Sequence, residues 1–233
     1  MEKFGNITLY NTDCMEIMKT FSDKQFDLAI VDPPYGINQG GDKNASRCKY
    51  VIAPKYHTFD DSKPPEKEYF NELFRVSKNQ IIWGANHFIS RMAFDSSCWI
   101  VWDKDNGMSD FADCELAWTS FKKAVRKFKY KWNGMFQENM KNKEKRIHPT
   151  QKPVALYVWI LNNYASKGTK IIDTHFGSGS ICIAAHDLGF ELTGIEIDKE
   201  YYNAAKKRLL NHQSQLKIFD NKQDNYKELE IFV

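Results

Sequence analysis

Short runs of aliphatic residues alternate along the chain with longer stretches in which apolar residues recur at helical spacing, a pattern that predicts an α/β fold. Strands are expected at Ile7-Thr8-Leu9-Tyr10, Phe26-Asp27-Leu28-Ala29-Ile30-Val31, Gln80-Ile81-Ile82-Trp83, 97–102, 115–120, Lys170-Ile171-Ile172 and 191–198. Helices are expected near 15–19, over 66–76 from the spacing of Tyr69, Phe70, Leu73, Phe74 and Val76, from Pro153 through Tyr164, over 181–185 and over 199–213. Pro153 is placed as the first helical residue, where its missing N–H costs nothing. The stretch 214–233 is polar, of mixed charge, and yields no assignment. His87 stands alone in its local pattern and is read as structural or capping.

The aliphatic run 26–31 is stopped by Asp32-Pro33-Pro34-Tyr35. Two prolines end a strand and fix a rigid platform, here carrying an acid and an aromatic ring at the carboxyl end of a parallel strand. Such a pair can grip a flat, amino-bearing heterocycle; the plainer alternative is a turn that merely ends the strand. Asp13, after the first strand, either faces the same cleft or caps the helix that follows it.

Further on, Asp173-Thr174-His175-Phe176-Gly177-Ser178-Gly179-Ser180 joins a strand to an apolar helix. Strand, glycine turn and helix form the Rossmann-type arrangement in which backbone can approach a ligand closely. The third glycine of the dinucleotide fingerprint is absent, which disfavours a pyrophosphate cofactor and a nicotinamide oxidoreductase. Glu196, about twenty residues beyond, can accept both hydroxyls of a ribose. Lys152, just before the helix at 153, lies near a positive helix terminus, where it can meet a carboxylate.

Charge changes the picture through its location. The net charge of +3 is mild, but Lys122, Lys123, Arg126, Lys127 and Lys129 are interleaved with aromatic residues, and Lys141, Lys143, Lys145 and Arg146 follow closely. Cations and rings so arranged suit a phosphate backbone and its bases, the alternative being a solvated strand face. The polar stretch 36–65, with Arg47 and Lys49, has the length of a binding loop. At 233 residues, with no low-complexity linker, a single domain over 1–233 is expected. The odd count of 5 cysteines without a Cys-x-x-Cys pair argues against a disulfide framework and a metal site. No signal region or membrane-length apolar run is visible, and a cytoplasmic protein is expected.

Together these residues resemble the S-adenosylmethionine-dependent DNA adenine-N6 amino-methyltransferases. Asp32 to Tyr35 is similar to that family's catalytic tetrapeptide, Asp173 to Gly179 to its cofactor loop, and His148 to Pro153 to the segment before the loop. Tetrapeptide first and cofactor loop second is the circularly permuted order of the family's β group. The resemblance implies a Rossmann-like methyltransferase fold with a mostly parallel central sheet and helices on both faces. It implies a catalytic Asp32-Pro33-Pro34-Tyr35 in which Asp32 and the Pro34 carbonyl accept from the target amino group while Tyr35 stacks on a flipped base. It places Glu196 on the cofactor ribose, Asp13 on its adenine, Lys152 on its carboxylate, and Phe176, Gly177 and Gly179 along its methionine and ribose. Cys14, His148, Gln151, Asp173 and Ser178 complete the implied cofactor site. The implied partner is duplex DNA, contacted through the loops at 36–65 and 121–147, with a homodimer and a restriction endonuclease as compatible partners. Cytosine N4 is the rival target, since a serine more often leads the tetrapeptide there; RNA and a non-catalytic binding module are further alternatives. The chain departs from the family's usual Asp-Pro-Phe at Asp173-Thr174-His175 and from its terminal threonine at Ser180.

Overall fold

The computed structural model describes residues 1–38, 56–58, 60–92, 94–107, 112–133 and 136–229. Strand β1 (Glu2–Phe4) and β2 (Ile7–Asn11) form an antiparallel hairpin, followed by α1 (Cys14–Met18), β3 (Phe26–Val31), α2 (Lys67–Val76) and β4 (Ser77–Trp83). Two short 3-10 turns, 85–87 and 89–91, lead to β5 (Trp99–Asp103), β6 (Cys114–Thr119) and β7 (Arg126–Lys129). A small pair, β8 (Trp132–Asn133) and β9 (Phe136–Gln137), precedes α3 (Val154–Tyr164), β10 (Lys170–Asp173), α4 (Ser180–Asp187), β11 (Glu191–Glu196) and α5 (Lys199–Leu229).

The main sheet runs β1-β2-β11-β10-β3-β4-β6-β5-β7. Pairs from β2 through β4 are parallel, whereas β6 is antiparallel to both β4 and β5. Strand order reverses direction between β10 and β3, and in open α/β sheets that switch point is where ligands bind. The mostly parallel α/β sheet expected from the sequence is therefore present.

Period-two alternation explains the two apolar layers. Strand β3 sends Leu28 and Ile30 to one face, where they join Leu156, Ile160, Ile181 and Leu209 from α3, α4 and α5. Its Ala29 and Val31 go to the other face, with Tyr69, Phe70 and Leu73 from α2 and Met18 from α1. Leu28, Leu73 and Ile160 are essentially sealed from water, each worth about 1.5–3 kcal/mol by burial.

Two expectations are corrected, and one unassigned stretch gains a structure. Pro153 precedes α3 rather than opening it: its ψ of 148° is extended, and Glu144 Oε1 accepts from the first helical N–H, Val154, at 3.0 Å. The unassigned tail is helical to Leu229 as a continuation of α5. The basic stretch at 126–129 is itself a strand, pairing in parallel with β5 at the sheet edge. Among the described residues no helix is long and apolar enough to cross a membrane.

Candidate active site

All the parallel strands open at one edge, and the chemistry-bearing residues collect there. Asp32 follows β3, Asp173 ends β10, Glu196 ends β11, Asp13 follows β2 and Gly84 follows β4. Because β6 runs the opposite way, it is its beginning, Glu115, that reaches this edge.

Asp32 lies in a network of charges. Lys152 Nζ donates to Asp32 Oδ2 at 2.6 Å, and the Tyr35 hydroxyl donates to Asp32 Oδ1 at 2.7 Å. Lys152 also stands 3.0 Å from Glu115 Oε2, while Glu115 Oε1 accepts from Lys104. Burial raises the Asp32 carboxyl above the ordinary carboxylate range, against the pull of Lys152. Burial works in the same sense on Glu115, but the Lys152 and Lys104 ammoniums outweigh it and hold Glu115 at about 2. Burial opposes the Lys152 charge, yet the carboxylates of Asp32 and Glu115 leave its pKa raised. Burial, with Asp32 beside it, pushes the Tyr35 phenol well up, so it remains a donor.

Tyr35 is fixed from several sides. Its N–H and that of Gly36 both donate to Asp61 Oδ1, at 2.8 and 3.1 Å, and its ring stacks on His87 at 5.1 Å and 18°. Gly84, at φ +68°, lies directly against the ring, leaving no room for a Cβ. His87, expected to be structural or capping, is exposed and braces this ring by stacking on it.

The glycine loop builds the adjoining half. Gly177 and Gly179 have φ of +48° and +70°, a region L-residues rarely adopt, and Glu196 Oε2 accepts from the Gly177 N–H at 3.0 Å. Glu196 Oε1 accepts from Asp198 N at 2.9 Å, and burial pushes this carboxyl up to about 7. Asp173 is buried, accepts from His175 N at 2.9 Å, and is pushed well up by burial. Phe176 is buried beneath Gly194, and Ser178 pairs with Ser180 at 3.2 Å. The His148 ring lies tilted against Tyr201, with centroids 4.2 Å apart, beside Gly177, and burial lowers its pKa to about 3. Cys14, Pro34, Tyr69 and His175 line a largely apolar cavity of about 340 Å³ between these loops.

A family model described as DNA methylase matches residues 117–207. Over 87% of its length the chain is 26% identical to the type II methyltransferase M.HinfI of Haemophilus influenzae, covering 68% of that protein. It is 27% identical to the type II methyltransferase M2.DpnII of Streptococcus pneumoniae, covering 88% of the chain and 90% of that protein. The crystal structure of an M1.HpyAVI–SAM complex is similar at a TM-score of 0.55 and 25% identity, covering 87% of the chain and 100% of the other. The chain is similar to N6/N4 DNA methylases.

The similar M1.HpyAVI structure holds SAM, S-adenosylmethionine, and the residues here fit that cofactor: a buried acid beside left-handed glycines, and an apolar cavity at the sheet's switch point. Three residues expected on the cofactor make contacts within the protein. The Lys152 ammonium is taken by Asp32 and Glu115, the nearest counter-ions in a dry setting, rather than turned to a cofactor carboxylate. Gln151 is buried and braces its own loop, accepting from Ile147 N at 2.9 Å. Asp13 caps α1, accepting from Met15 N at 2.8 Å.

The basic residues divide. Arg47 and Lys49 lie outside the described residues. Lys122, Lys123 and Arg126 stand at the opposite edge of the sheet from Asp32, because antiparallel β6 carries the chain away from the site; Lys123 packs over Tyr164 at 4.9 Å. Lys127 and Lys129 are at the site's edge but pair with Asp103 at 3.3 Å and Asp105 at 2.9 Å. Arg146 is folded inward over Trp132 at 5.6 Å, donating to the Pro149 carbonyl at 2.9 Å. Lys141, Lys143 and Lys145 are exposed.

Proposed function

We propose that the protein transfers a methyl group to the exocyclic N6 of a flipped adenine in duplex DNA, by direct in-line displacement. The observation that carries this reading is the acid at the head of the tetrapeptide, Asp32, fixed at the switch point beside the glycine loop. An exocyclic amine is a poor nucleophile because its lone pair is conjugated into the ring. Asp32 and the Pro34 carbonyl, accepting from its two hydrogens, favour a pyramidal nitrogen and free that lone pair. Tyr35 and His87 supply the aromatic platform that offsets the cost of unstacking the base, a few kcal/mol. S-adenosylmethionine supplies the electrophilic methyl on its sulfonium. Glu196 receives the ribose hydroxyls, Asp13 the adenine, and Gly177, Gly179, Phe176, Asp173, Ser178, Cys14 and His148 shape the remainder.

Exposed Lys141, Lys143 and Lys145 meet the phosphate backbone, with Lys127 and Lys129 nearer the site. DNA methylated by the protein and digested to nucleosides is expected to yield N6-methyladenine; N4-methylcytosine in its place overturns the choice of base.

Glu196 gives a pH dependence. Its folded value of about 7 lies above the ordinary 4.5, so the folded chain holds the proton across that window and stability falls as pH rises through it. Ribose hydroxyls donate best to the ionised form, so the Kd for S-adenosylmethionine is expected to tighten about tenfold from pH 6 to 8. Calorimetric titration at the two pH values, with Glu196→Gln as control, checks this: the variant should show a flat profile.

A further inference from the structure

Four side chains of alternating charge form a line that begins at the tetrapeptide: Asp32, Lys152, Glu115 and Lys104. They come from the end of β3, the approach to α3, the start of β6 and the turn after β5. Lys152, at 3% exposed, is the hub, with its Nζ 2.6 Å from Asp32, 3.0 Å from Glu115 and 3.2 Å from the Tyr35 hydroxyl. The Trp83 ring, 5.2 Å from that Nζ, closes one side. Buried ion pairs recover little more than their desolvation cost and are often replaced by apolar residues without loss of stability, so stability alone does not account for this line.

We propose that Lys152 and Glu115 are positioning residues that tune Asp32 as a proton acceptor: Lys152 keeps its carboxylate ionised and aimed, and Glu115, anchored by Lys104, moderates that hold. The proposal rests on the reading of Asp32 as the residue facing the amine. In the transfer the N–C bond forms as the C–S bond breaks, its electron pair going to sulfur. The nitrogen then carries one proton too many; that N–H bond breaks, the pair stays on nitrogen, and an O–H bond forms on Asp32. An acceptor gripped by a lone ammonium would be a poor base, and one facing only Glu115 would be protonated beforehand. The other titratable groups facing Asp32 are phenols, Tyr35, Tyr69 from α2 and Tyr157 from α3, and Asp173 from β10. Burial raises all four, which keeps the phenols neutral, while Lys152 and Glu115 act on Asp32 with opposite charge.

The two residues pull in opposite directions, and the test uses that. In Lys152→Met the acid limb of the kcat–pH profile is expected to move up by at least about one unit, a tenfold loss on its acid side; in Glu115→Gln it should move down. Lys152→Arg should keep the limb near its original place. The full chain carrying ¹³C-labelled aspartate gives a readout independent of turnover: the Asp32 carboxyl resonance, assigned by its loss in Asp32→Asn, should titrate higher in Lys152→Met and lower in Glu115→Gln. Should Lys152→Met fail to fold, Glu115→Gln and its downward shift carry the test. Limbs and resonances that stay in place, or shift in the same direction in both variants, overturn the proposal. Full transfer by Asp32→Ala would instead overturn the underlying assignment of Asp32, so the two failures are distinguishable.

Discussion

Asp32→Ala is expected to lower kcat for methyl transfer by roughly 10²–10⁴-fold while changing the Kd for S-adenosylmethionine by less than about threefold. The size of the first effect follows from what the carboxylate faces. On the proposed function its acceptor oxygens serve a charge that develops only as the amine becomes bonded to a fourth group, in a site walled by Trp83, Tyr35 and the strand ends. The smallness of the second follows from the separation of duties along the sheet edge: Glu196, Gly177 and Gly179 belong to β11, the glycine loop and α4, none of which leans on Asp32 for a hydrogen bond. The fold should survive, because Lys152 retains Glu115 at 3.0 Å when Asp32 is gone. Single-turnover assays with labelled cofactor and calorimetric titration measure the two quantities; transfer within tenfold of the parent would remove Asp32 from the chemistry.

Much of the scaffold was legible in the sequence because each signal was local. The aliphatic run ending in two prolines, the strand–glycine–helix unit and an acid about twenty residues beyond it all depend on neighbours in the chain, and they converge at the switch point between β10 and β3. Lys152 was legible as a lysine that meets a carboxylate, but its pairing with Asp32 and Glu115 was not. Glu115 sits in Cys114-Glu115-Leu116-Ala117-Trp118-Thr119, where nothing local marks it as the counter-ion of a lysine on another element. Its contact exists only because β6 enters the sheet antiparallel, and the same reversal carries Lys122 and Lys123 away from the site despite their closeness in sequence to Lys127. Asp61, which fixes the backbone at Tyr35 and Gly36, was hidden likewise, in a polar stretch read only as a loop. The length of α5 was missed because beyond residue 213 it lacks the apolar stripe on which helix reading depends.

Gly84→Ala is expected to leave the fold intact, to destabilise it by about 1–3 kcal/mol, and to lower kcat at least roughly a hundredfold. Two costs coincide at this residue. Its φ of +68° lies in the left-handed region, which strains any residue with a Cβ, and the Cβ itself would enter the space of the Tyr35 ring. The backbone is pinned there, since the Gly84 N–H donates to the Leu116 carbonyl at 2.9 Å, so the ring rather than the chain must give way. A displaced ring withdraws the hydroxyl that donates to Asp32 at 2.7 Å and breaks the stack on His87. The platform and the acid would be disturbed together by a single methyl group placed outside the tetrapeptide. Calorimetric melting and single-turnover rates give the two effects separately, and a double-mutant cycle with Tyr35→Ala shows their route. If Gly84 acts through Tyr35, adding Gly84→Ala to Tyr35→Ala lowers kcat no further, because the ring that the methyl group would displace is already gone; additive losses would mean that Gly84 acts on the site by some other path.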